Sequence, residues 1–61
     1  MELYETLCRL VREVEDDMKK ATGGNKAAGT RVRKSMQDIK DTAQQIRQRV
    51  LDMRGTEEGG E

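Results

Sequence analysis

The chain has 61 residues, no His, no Pro, one cysteine and a single aromatic residue, Tyr4. One cysteine rules out an intrachain disulfide, and without histidine zinc has no ready ligand set. Apolar residues make up 33% of the chain and the formal net charge is zero, so a two-helix unit of this size is short of core and points to an oligomer.

Residues 3–21 place Leu3, Leu7, Leu10, Val14, Met18 and Ala21 at helical spacing, with Val11 widening the stripe. The spacing predicts a helix over about 2–21. Lys19 and Lys20 fall in its last turn, where cations suit the helix dipole. Gly23-Gly24 is expected to end it, because glycine accepts the left-handed cap conformation.

The turn is expected over 22–25. Asn25 is a good N-cap for a second helix over about 26–54. From Val32 the apolar positions are 32, 36, 39, 43, 46, 50 and 53. Read as heptads, Met36, Ala43 and Val50 occupy a, and Ile39, Ile46 and Met53 occupy d. Gly55 is expected to stop the helix. Residues 55–61 are Gly-rich and acidic and read as a disordered tail.

So short a connection folds the helices into an antiparallel hairpin, giving an all-α fold. At 1.5 Å per residue the first helix is about 30 Å long and the second about 43 Å. The second therefore runs past the first, carrying Ile46, Val50, Leu51 and Met53. Leaving four such side chains in water would cost about 1.5–3 kcal/mol each. A second copy is the simplest cover, with Tyr4 and Val11 widening the apolar face of the first helix. The expectation is a homodimer, as a four-helix bundle or coiled coil.

Charge is unevenly placed. Residues 1–21 carry four cations and six acids, whereas residues 26–54 carry eight cations and three acids. Lys26, Arg33, Lys40, Arg47 and Arg54 recur every seven residues and form one stripe beside the apolar seam. Such a ladder often pairs with acids on a neighbouring helix. Here the equivalent positions of the first helix are Tyr4, Val11 and Met18, which offer no carboxylate. Glu13 and acids of a second protomer are the remaining partners.

The segment from Lys26 to Lys34 gathers Lys26, Arg31, Arg33 and Lys34 around the positive end of the second helix. Ala27, Ala28 and Gly29 permit either a phosphate backbone or the other helix to come close. No aromatic residue is interleaved with the cations, so duplex phosphates fit better than stacked single strands.

Catalysis has little to stand on: there is no Ser-His or Cys-His pairing, no P-loop and no dinucleotide fingerprint. Cys8 reads as a packing residue. Glu15-Asp16-Asp17 points in several directions around its helix and reads as a solvated face. No cofactor, metal or small-molecule substrate is expected. There is no membrane-length apolar run and no signal-peptide pattern, so a cytoplasmic protein is expected.

The run Gly24-Asn25-Lys26-Ala27-Ala28-Gly29-Thr30-Arg31-Val32-Arg33-Lys34 closely resembles a segment of the bacterial linker-histone-like family, the histone-one-like nucleoid proteins of chlamydiae and related bacteria. In that family a similar Gly-Asn-Lys-Ala-Ala turn leads into an Arg-x-Arg helix start. The pattern of an acidic helix, this turn and a longer basic helix is similar over about 3–54. The resemblance implies DNA binding and chromosome compaction in the nucleoid, with Lys26, Arg31, Arg33 and Lys34 as candidate contacts. The chlamydial members carry a long Lys/Ala/Pro-rich tail, whereas this chain ends in Gly-Thr-Glu-Glu-Gly-Gly-Glu. That departure implies either weaker and more salt-sensitive DNA binding or a motif that serves assembly instead.

The expectation is a dimeric, histone-like protein that contacts double-stranded DNA non-specifically through Lys26, Arg31, Arg33, Lys34, Lys40, Arg47 and Arg54. The alternative is a coiled-coil interaction or dimerisation module that does not bind DNA.

Overall fold

The computed structural model describes residues 1–54. Two helices, α1 (Glu2–Thr22) and α2 (Lys26–Met53), fold back on each other as an antiparallel hairpin. The expected tail over 55–61 and the helix stop at Gly55 lie outside the described residues.

The reversal is made by three residues. The N–H of Gly24 donates to the carbonyl of Ala21, and the N–H of Asn25 donates to that of Lys20, both at 3.0 Å. These two bonds form a Schellman motif, which closes a helix with its penultimate residue in the left-handed region. Gly24 takes that role at φ 101°, while Gly23 stays at φ −83°. Asn25 then starts α2: its side chain accepts a 2.9 Å hydrogen bond from the N–H of Ala28. One asparagine thus closes α1 with its backbone and caps α2 with its side chain.

The packing seam differs from the apolar heptads. On α1, Leu3, Leu7, Leu10, Val14 and Ala21 face inward, with Val14 only 4% exposed. Met18 does not join them: it is 44% exposed, and the half-buried Asp17 takes the inward position. On α2 the inward row of large residues is Val32, Ile39 and Ile46. The row beside it is Ala28, Ser35 and Thr42, with Ala28 and Thr42 buried. Met36 and Val50, at expected a positions, are each 41% exposed, and Met53 is exposed as well.

The reason is geometric. A helix with one neighbour buries only a narrow arc, and α2 turns its small side chains into that arc, which lets the helices come close. The larger Met36 and Val50 are left on the flank. Val14 and Ala28 are the only apolar side chains buried to this degree among the described residues, so one hairpin has little core of its own.

Candidate nucleic-acid interface

The first candidate contact to examine is Arg31, and the structure uses it differently. Its Nη2 and Nε donate to the two carboxylate oxygens of Asp17, at 2.9 and 3.1 Å. This two-pronged geometry is the strongest form of arginine–carboxylate pairing. The guanidinium holds the Asp17 carboxyl below the usual carboxylate range, and Asp17 raises Arg31 in return. Arg31 therefore ties α2 to α1 through two of its three guanidinium nitrogens. The pair also fixes the register, setting Leu7 near the level of Thr42 and Leu3 near that of Ile46.

The remaining candidates are Lys26, Arg33, Lys34, Lys40, Arg47 and Arg54. All six are exposed. None forms an ion pair among the described residues, where the pairs are Arg9–Glu13, Lys19–Glu15 and Arg31–Asp17. Glu13, the one intramolecular partner expected for the ladder, is taken by Arg9 at 3.3 Å within α1. Two acids of α2 are also turned elsewhere: Asp41 accepts from Gln37 and Asp52 from Gln48. The ladder thus keeps its field along the length of α2, which raises the local concentration of an anionic ligand.

Of the small residues after the turn, only Ala28 is packed against α1. Ala27 is exposed, and a side chain added at Gly29 would meet nothing within 4 Å. Tight helix crossing accounts for Ala28 alone.

The expected dimer residues fall in two groups. Tyr4, Val11, Val50, Leu51 and Met53 are exposed, whereas Ile46 is half-buried in the hairpin seam. Met18 and Met36 join the exposed set. Near the C-terminal end of α2, Ile46, Arg47, Val50 and Leu51 line an open groove. Among the described residues no cluster of three or more His, Cys, Asp or Glu is placed to hold a metal. No helix among them is long and apolar enough to cross a membrane.

The arrangement defines a class: an all-α hairpin whose second helix carries a basic flank without ion pairs among the described residues. The family described as Histone H1-like protein Hc1 matches residues 1–56, and the chain belongs to that family. It is a family of histone-like, DNA-binding nucleoid proteins that package DNA and are not known as enzymes. No curated protein and no solved structure matches the chain.

Proposed function

We propose that this protein binds duplex DNA non-specifically through the flank of α2 and compacts it as a homodimer in the cytoplasmic nucleoid. Lys26, Arg33, Lys34, Lys40, Arg47 and Arg54 contact phosphates. Arg31 supports them indirectly, by holding the hairpin closed against Asp17. The observation that carries this reading is the cation ladder without ion-pair partners among the described residues, in a chain of a histone-like family. Long cations without neighbouring aromatics favour backbone contact over base readout.

The dimer buries the exposed apolar residues Tyr4, Val11, Met18, Met36, Val50, Leu51 and Met53. Two copies carry two basic flanks, which is what compaction requires of so small a protein.

Titrating a random-sequence duplex with the full chain at increasing salt tests the reading. With the six cations on one duplex, log affinity should fall with log salt at a slope of about −5.4. No binding at 25 mM salt, or binding that ignores salt, overturns the proposal.

A further inference from the structure

The basic flank has a source of anions besides DNA, and it belongs to the same chain. Residues 55–61 carry Glu57, Glu58 and Glu61 and no cation. They follow directly on the last rungs of the ladder. There Arg47 and Arg54 are exposed and form no ion pair among the described residues.

The carboxyl end of α2 itself does not suit these acids. The helix dipole makes that end negative, the last turn holds no cation, and Asp52 adds a further negative charge. The nearest favourable field lies back along the helix. Seven residues turn a helix by about 700°, so Arg47 and Arg54 stand on one side of α2, about 20° apart. Arg49 is turned about 160° from Arg47, and Asp52 about 140°. An acidic segment running back over the Arg47–Arg54 side therefore meets two cations and no carboxylate of α2. With no apolar side chain in it, the segment matches these cations and not the neighbouring groove.

The reach fits as well. Arg47 lies about 10.5 Å behind Arg54 along the axis. Glu57 and Glu58, three and four residues past Arg54, span up to about 10–14 Å when extended. Both therefore come level with Arg47. Gly55 directly follows the cap residue Arg54, and glycine is the residue that most readily turns a chain back at a helix end. Acids on so short a tether compete at a millimolar effective concentration. Arg33 is about 31 Å from Arg54 along α2, whereas seven extended residues span about 25 Å at most. The hairpin end of the ladder is therefore out of range.

Resting on the DNA-binding reading above, we propose that residues 55–61 fold back over Arg47 and Arg54 in the DNA-free protein, with Glu57 and Glu58 as their ion-pair partners. The segment is a built-in competitor of phosphate at the last two rungs and leaves Lys26, Arg33 and Lys34 open. A duplex gains the whole ladder only by displacing it.

Neutralising Glu57, Glu58 and Glu61 together to Gln in the full chain removes the charge and keeps the length. Affinity for a random duplex at about 25 mM salt should rise about three- to tenfold, the combined worth of two or three exposed ion pairs. With Arg47→Ala and Arg54→Ala also present, the gain should fall by more than half. Glu2→Gln, Glu5→Gln and Asp16→Asn on α1 change the net charge equally and should raise affinity less than about twofold. Without DNA, the Nε–H NMR signals of Arg47 and Arg54 should move when the three glutamates are neutralised, while that of Arg12 stays. Equal gains from the two sets of acids overturn the contact, as does a gain that survives loss of Arg47 and Arg54. Unmoved Arg47 and Arg54 signals overturn it too. If neither form binds the duplex, the DNA-binding reading falls, and the NMR signals still decide the contact.

Discussion

Arg31 and Arg33 are two residues apart on the same helix, yet their removal should have different consequences. The guanidinium of Arg31 is held by both oxygens of Asp17, while Arg33 has no ion-pair partner among the described residues. Changing Arg33 to Ala removes one phosphate contact and should flatten the slope of log affinity against log salt by about 0.9. Between 50 and 200 mM salt, that is about a 3.5-fold smaller loss of affinity. Changing Arg31 to Ala should leave the slope within experimental error and lower the thermal midpoint instead, because it opens the tie between the helices. Fluorescence anisotropy with a random 30-base-pair duplex gives the slopes, and circular dichroism melts give the midpoints at one protein concentration. Equal flattening by the two substitutions would refute the division of roles. So would an Arg33→Ala variant that binds with an unchanged slope.

Other substitutions test the turn and its surroundings. Asn25→Ala removes the side-chain cap on the Ala28 N–H and should cost about 1 kcal/mol in a denaturant melt. Gly24→Ala forces an alanine into φ 101° and should cost about 1–2 kcal/mol. Gly29→Ala should do the opposite, stabilising by about 0.8–1 kcal/mol, since open space surrounds the added methyl. If Gly29 also admits a phosphate backbone, the same variant will bind duplex DNA more weakly despite its higher stability. The pH dependence follows from Asp17, whose carboxyl is lowered from its ordinary 3.8 by the hydrogen bonds from Arg31. Its contribution is complete above that value and is lost as pH falls through the lowered folded value. Asp17→Asn should therefore narrow the stability gap between neutral pH and acid below 3.8, as read from urea melts.

The two helices and their reversal were legible because each rests on a short-range signal. Asn25 sits where a cap is needed, a glycine pair precedes it, and both flanking segments repeat at helical spacing. The seam was less legible because apolarity alone does not choose which side of a helix packs. Ala28, Ser35 and Thr42 recur every seven residues, and that row of small side chains was the available signal for close approach. A reading that scored only hydrophobic side chains placed Met36 and Val50 in their stead. The pairing of Asp17 with Arg31 was not legible at all, although both residues stand in plain view. Fourteen positions separate them, and they meet only because the turn uses Gly24 at positive φ with Asn25 shared between two helices. One residue more or less in that connection would rotate α2 by about 100° against α1. Arg31 would then leave Asp17 and rejoin the exposed cations. The glycine–asparagine turn therefore decides more than chain reversal: it sets which arginine closes the hairpin and which remain on the open flank.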